Sequence, residues 1–352
     1  MRKAARSAAA VAVGVLLGAG GAIAAGREAV RRQRERFDPE ASVDLAALPP
    51  EELGPIASFD GTQLAVRAAG PAGAPTLVFA HGITLDMTTW HYQWTTLADR
   101  YRCVLYDQRA HGRSEHPPSG DYSLSATGRD LRSVLDRVAP KGPVVLVGHS
   151  MGGMAILAFA DQYPEEFGAR VAGTVLVDTA ASDLLLREGL GLLGQRLERL
   201  IRPLTDRAIF DRPERAELIR SSMHRWGKDL AFLLAKATNF GPEASTSHID
   251  YLTHLSTGAP VEVWTEMLRG LLEMDLREAI AAVTVPSLVI VGDRDTLTPK
   301  RSAEALQEAL PDARAIVIAR AGHVSMMERH EVFNDLLGEY LEELFEPQRA
   351  VS

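Results

Sequence analysis

The 352-residue chain reads as an α/β protein built on a mostly parallel sheet. Three observations lead there. Short apolar runs recur at 76–82 (TLVFAHG), 103–109 (CVLYDQR), 144–150 (VVLVGHS), 173–179 (GTVLVDT), 287–293 (SLVIVGD) and 315–319 (AIVIA). They are continuous rather than alternating, as expected for strands covered on both faces. Helical patterns lie between several of them, and strand–helix alternation implies parallel pairing.

The elements follow in order. ASFDGTQLAVRAAG reads as two strands around an Asp60-Gly61 turn, which brings the expected sheet to eight strands. Residues 125–138 place Leu131, Val134, Leu135 and Val138 on one helical face. Residues 154–163 and 302–310 repeat that pattern. Between Thr179 and Pro286 the rhythm breaks. No strand pattern occurs there; Leu186, Leu190, Leu193, Leu197 and Leu200, then Leu230, Leu233 and Leu234, then Val263, Trp264, Met267, Leu268 and Leu271 recur at helical spacing. The expected organisation is therefore a core of residues 55–180 and 276–346 with a helical cap at 181–275.

The N-terminus is different in kind. Residues 8–25 contain no charge, and Arg2, Lys3 and Arg6 precede them. Such a stretch is a membrane anchor or a secretory signal, and Ala22-Ile23-Ala24 offers a small-x-small cleavage site. A basic flank follows, so residues 1–36 are expected to act as a membrane segment and 37–54, with three prolines, as a linker. Residues 1–36 carry eight Lys/Arg against two Glu, net +6; the whole chain is −8, so the remainder is −14. An acidic body argues against a nucleic-acid partner, while the basic flank suits an anionic membrane surface. One cysteine, Cys103, rules out an internal disulfide and is expected to be a buried thiol. No metal-ligand spacing or phosphate-binding glycine loop stands out, so no cofactor is expected.

The chemistry-bearing motif is Gly148-His149-Ser150-Met151-Gly152. It lies where an apolar run gives way to a helix. A turn that sharp crowds the residues two positions either side of the serine, and glycine relieves the crowding. The serine hydroxyl then projects above the C-terminal sheet edge, beside the free N–H groups of a helix N-terminus. A serine needs a base, and the base needs an orienting carboxylate. Of ten histidines, His323 follows the last strand and is placed at the same sheet edge. His330, seven residues later, is placed on the following helix, and His149 neighbours the serine but points elsewhere along the turn; the others, including His81, His111 and His248, are expected to be polar loop or surface residues. Asp293 and Asp295 both follow the 287–291 strand and remain rivals on position alone.

Together, His81-Gly82, DQRAHGRS (107–114), GHSMGG (148–153), GDRDTLTP (292–299) and AGH (321–323) resemble the α/β-hydrolase family over residues 55–346. The resemblance implies Ser150 as nucleophile, Asp295 as acid and His323 as base. It further implies the backbone N–H groups of Met151 and Ile83 as the oxyanion hole. Ala110 departs from the family's frequent glycine in that loop, which the resemblance treats as structural. The implied activity is hydrolysis of an ester or related acyl bond in a mainly apolar small molecule. Carbon–carbon bond hydrolysis, acyl transfer, cofactor-free peroxidation and a non-catalytic binding role remain alternatives on this fold.

Overall fold

A computed structural model describes residues 25–182 and 227–345. Its centre is an eight-stranded sheet in the order β1-β2-β4-β3-β5-β6-β7-β8. The strands are β1 (Glu51–Ala57), β2 (Gln63–Ala69), β3 (Thr76–Ala80), β4 (Arg102–Tyr106), β5 (Val144–His149), β6 (Val171–Val177), β7 (Ser287–Gly292) and β8 (Ala313–Ile318). β2 pairs antiparallel with β1 and β4, and every other neighbouring pair is parallel.

The continuous apolar runs are explained by two cores, one on each face. Successive side chains of a strand point to opposite faces. Accordingly Leu77, Phe79, Val145, Val147, Leu288 and Ile290 enter one core. Val78, Ala80, Val144, Leu146, Val289 and Val291 enter the other. Numbering helices among the described residues, the first core is completed by α2 (His91–Leu97) and α10 (His330–Phe345), through Leu97, Phe333, Leu337 and Leu341. The second is completed by α3 (Leu124–Val138), α4 (Met151–Gln162) and α8 (Lys300–Ala309), through Leu131, Val134, Leu135, Ile156, Phe159 and Leu306. Ser123 caps α3 by accepting from the Ala126 N–H, which satisfies a donor the helix itself leaves open.

The described part of the cap is helical, as its periodicity predicts. It contains α5 (Lys228–Asn239), α6 (Thr246–Gly258) and a helical stretch through Val263–Met267 into α7 (Leu268–Glu273). Val263–Met267 is π-helical. The Leu186–Leu200 stripe lies outside the described residues. α9 (Ser325–Glu328) completes the set.

The N-terminal expectations need correction. Residues 25–34 form a helix, α1, that packs on the cap rather than standing apart as a basic flank. Its Val30 is buried in a core shared with Phe232 of α5 and Ile249 of α6. Gln33 donates to the Ala244 carbonyl, and Arg34 pairs with Asp250 at 2.8 Å. The span expected to be a linker is also packed. β1 begins at Glu51, inside it, and Leu45 is buried. Asp38 accepts from the Ser245 and Ser247 hydroxyls and from the Ser247 N–H at the start of α6. Charge pairing and capping, rather than periodicity, order this stretch. Among the described residues no helix is long and apolar enough to cross a membrane. The apolar stretch up to residue 24 lies outside them. Cys103 is buried, as its apolar run predicts.

Candidate active site

Ser150 sits between the end of β5 and the start of α4, with φ +50° and ψ −117°. This is a strained conformation for a residue with a side chain. Its N–H is held by the Val177 carbonyl at 2.9 Å, and its own carbonyl accepts from Gly153 and from the Thr179 hydroxyl. The flanking glycines are needed for close approach. A Cβ on Gly152 would lie 2.1 Å from the Ala80 carbonyl oxygen, and one on Gly148 would lie 2.5 Å from that of Gly152.

The structure brings the three widely separated residues together. His323 Nε2 lies 3.0 Å from Ser150 Oγ, and His323 Nδ1 lies 2.9 Å from Asp295 Oδ2. With Nδ1–H donating to the carboxylate, Nε2 is left free to accept the serine proton. Asp295 is buried and takes further bonds from the Leu297 N–H, the Thr298 N–H and the Thr298 hydroxyl. Burial alone would raise the Asp295 pKa. The His323 charge and these donors outweigh it and hold the carboxyl below its ordinary value. Burial opposes the His323 cation, but the Asp295 charge and hydrogen bond reverse that and raise the imidazole's pKa. Asp293 is not part of the group; it is exposed, 3.7 Å from Arg294.

The loop carrying Ile83 lies against the serine. A Cβ on Gly82 would come 3.3 Å from Ser150 Cβ. Two histidines brace this loop; both are polar loop residues, as expected, but buried rather than at the surface. His81 Nδ1–H donates to the Gly82 carbonyl, and its Nε2 accepts from the Gln108 N–H at 3.0 Å. His111 Nε2 accepts from the Thr84 N–H at 3.1 Å. Both accept only while neutral, and burial keeps them so, with pKa values pushed down to about 4 and about 3. His149 is likewise buried and points to the His323 carbonyl at 2.7 Å. Ala110, where the resemblance leads one to expect glycine, has φ +63°. Next to it, Arg109 forms a fully buried pair with Asp130.

The cap supplies the wall. Val263, Met267, Leu271 and Met274 form one apolar cluster with Met151 and Met154, and Ile83 and Tyr122 pack on it. Cap helix α6 also reaches the Ile83 loop, through Ser256 to Thr84 and Tyr251 to Thr88. Two polar side chains at the site went unread in the sequence, Thr298 and Asp178. Asp178 carried a usable signal, a lone charge ending an apolar run.

A family model described as "Alpha/beta hydrolase family" matches residues 77–336. The chain belongs to the alpha/beta hydrolase family. Among similar proteins, the hydrolase is 27% identical to a putative 2-succinyl-6-hydroxy-2,4-cyclohexadiene-1-carboxylate synthase of Bacillus subtilis, over 81% of this chain and 97% of that one. It is 24% identical to 3-oxoadipate enol-lactonase 1 of Acinetobacter baylyi, over 82% and 97% respectively. A thermophilic esterase from Thermogutta terrifontis superposes with a TM-score of 0.64 at 25% identity, covering 84% of this chain and 99% of that one.

Proposed function

We propose that this hydrolase cleaves a carboxylic ester, open or cyclic, through an acyl-enzyme on Ser150. The observation that carries the reading is the unbroken relay from Ser150 Oγ through His323 to Asp295, at 3.0 and 2.9 Å. In the first step Ser150 Oγ attacks the carbonyl carbon and His323 Nε2 takes its proton. Asp295 holds the imidazole tautomer and stabilises the cation. The Met151 and Ile83 N–H groups receive the oxyanion, each donor worth about 2.7–4 kcal/mol in measured cases. The protonated His323 then gives its proton to the leaving alcohol, and water repeats the sequence to release the acid. No step calls on a cofactor.

The methionine-rich cluster beside Met151 supports an apolar acyl group. The lactonase and esterase relatives support ester over carbon–carbon chemistry. Acyl transfer, peroxidation and non-catalytic binding remain the alternative readings on this fold. We further propose that residues 1–24 anchor the enzyme at a membrane, with secretion after cleavage as the alternative. The support is the apolar stretch 8–25 with its basic neighbours. The mass of the mature N-terminus distinguishes the two.

Ser150→Ala tests the catalytic reading. Hydrolysis of short p-nitrophenyl esters should fall by on the order of 10⁵–10⁶-fold in kcat, the scale of nucleophile loss in serine hydrolases. Turnover equal to wild type would overturn it.

A further inference from the structure

Asp178 is a fully buried carboxylate that the mechanism above does not use. It follows β6 with φ +45°, a left-handed conformation that costs a residue with a side chain about 1 kcal/mol or more. Its N–H is pinned to the Ile290 carbonyl at 2.8 Å. Its Oδ1 accepts from the N–H of Gly292, the last residue of β7, at 2.9 Å. Its Oδ2 accepts from the Ser325 N–H at 2.9 Å and the Ser325 hydroxyl at 2.7 Å. One side chain therefore ties the end of β6 to the end of β7 and to the segment just past His323.

All three bonds are made by donors, the pattern an ionised carboxylate satisfies best. A buried anion also needs a positive partner. Among the described residues no Lys or Arg forms an ion pair with Asp178; the positive charge that acts on it is the imidazolium His323 becomes on protonation. The titratable groups that act on His323 are Asp295 after β7, bonded to its Nδ1, Asp178 after β6, through its charge, and His149 from the elbow, whose ring centroid lies 5.0 Å away. Glu328 of α9 adds a carboxylate that takes the Gly322 N–H at 2.8 Å. Burial holds His149 neutral, so it does not oppose the cation.

We propose that Asp178 is a positioning residue for His323: ionised, it fixes the loop that carries the imidazole and favours the cation formed during turnover. The proposal rests on the ester-hydrolase reading for its catalytic meaning. Burial, followed by the Asp295 charge, raises the Asp178 pKa to about 8, against the pull of the His323 cation and the Ser325 donors; in the proposed arrangement the three donors on its two oxygens keep it ionised nonetheless. The carboxyl and the imidazole therefore favour each other's charged form. Because the base must be neutral to accept a proton, a carboxylate here moves the acid limb of the kcat/KM profile to higher pH. It also stabilises the imidazolium once formed.

The test is the ring pKa of His323, followed by NMR on 13C-histidine-labelled full-length protein, with His323→Gln assigning the resonance. Asp178→Asn should lower that pKa by about one unit, the scale on which a nearby buried charge acts. The acid limb should move down with it and the plateau rate should fall. Ser325→Ala keeps the charge but removes one donor, so the ring pKa should not drop. An unmoved pKa in Asp178→Asn, or an equal drop in both variants, would overturn the proposal. If Asp178→Asn does not fold, the 13C carboxyl shift of Asp178 in the wild-type protein decides instead. A neutral carboxyl while His323 is charged refutes the idea, and an ionised one supports it. Fluorophosphonate labelling of Ser150 reports separately on the hydrolase reading, so either conclusion can fail alone.

Discussion

Two regions of the molecule are held by opposite means. At the C-terminal edge of the sheet, Ser150, Asp295 and His323 are each delivered by the end of a strand or the loop that leaves it, β5 and β7 being buried and β8 closing the sheet. Position comes from β5, β7 and β8, and the side chains have only to reach one another. Along residues 25–50 the backbone forms one short helix and little else regular, and position comes from side chains. Tyr92 of α2 donates to Glu40 Oε2 at 2.7 Å and meets His248 Nε2 at 2.7 Å. His330 stacks on Tyr92 with centroids 3.8 Å apart and reaches Glu40 at 3.3 Å. Core, cap and N-terminal strap thus converge on one polar cluster. The difference teaches that this enzyme has a rigid chemical edge and a cap whose seating depends on a handful of titratable groups.

The sharpest way to break the comparison is to damage the edge without touching the fold. Asp295→Asn keeps the shape but offers His323 Nδ1 a group that can hold the wrong tautomer. In a serine protease the equivalent change costs about 10⁴ in kcat. The same order is expected here in steady-state ester hydrolysis, with a thermal unfolding midpoint close to wild type. A midpoint that collapses with the activity would mean the carboxylate is chiefly structural.

Tyr92→Phe probes the other region and should show the reverse pattern. The hydroxyl proton goes to Glu40, so His248 Nε2–H is the donor to the tyrosine oxygen. His248 Nδ1 is already buried without a hydrogen-bond partner. Removing the hydroxyl strands a second nitrogen on the same ring and a carboxylate oxygen. Leaving one buried polar group unpaired costs about 1–3 kcal/mol. Chemical denaturation should therefore show a loss of that size, while kcat on a short ester stays near wild type. A fall in kcat with unchanged stability would place the cluster in the chemistry instead.

How far the sequence discloses these regions follows from the same contrast. Ser150, His323 and the pair Asp293/Asp295 were legible because each ends or follows an apolar run, and strand ends map onto one edge. The choice of Asp295 needed the family resemblance; in space Asp295 lies 2.9 Å from His323 Nδ1 while Asp293 faces solvent. The strap was illegible because Asp38 and Glu40 have no periodicity, and their partners Tyr92, Ser245 and His330 lie 52 to 290 residues away in sequence. The burial of the other histidines went unforeseen for a related reason. His81, His111, His149 and His248 are buried with one nitrogen each bonded to a group 27 or more residues away, and no local pattern announces that. Ala110 shows the limit at single residues. A glycine would signal the left-handed backbone there, but the chain adopts it with alanine.

The most graded effect, spread over about two to three pH units rather than expressed at one pH, is a pH dependence of stability to which the strap contributes. Burial pushes the His248 pKa down from 6.5 to about 4. Between those values the unfolded chain binds a proton that the folded chain does not. Stability contributed by this group is therefore present above pH 6.5 and is lost as pH falls toward 4, by on the order of 3 kcal/mol in total. Asp38 and Glu40 act in the same direction at lower pH. Burial opposes their charge, but the Ser245 and Ser247 donors at Asp38 and the Tyr92 and His330 partners at Glu40 hold both below ordinary carboxylate values. Their contributions persist until pH drops through the folded-state pKa values. Other buried histidines share the trend, so the wild-type slope alone does not isolate His248. His248→Asn does. It should be less stable than wild type at pH 7.5, and the gap should narrow steadily toward pH 4.5 in parallel urea titrations. A gap that is constant with pH would mean that His248 titrates alike in the folded and unfolded chains, and that the strap is not held by a buried neutral imidazole.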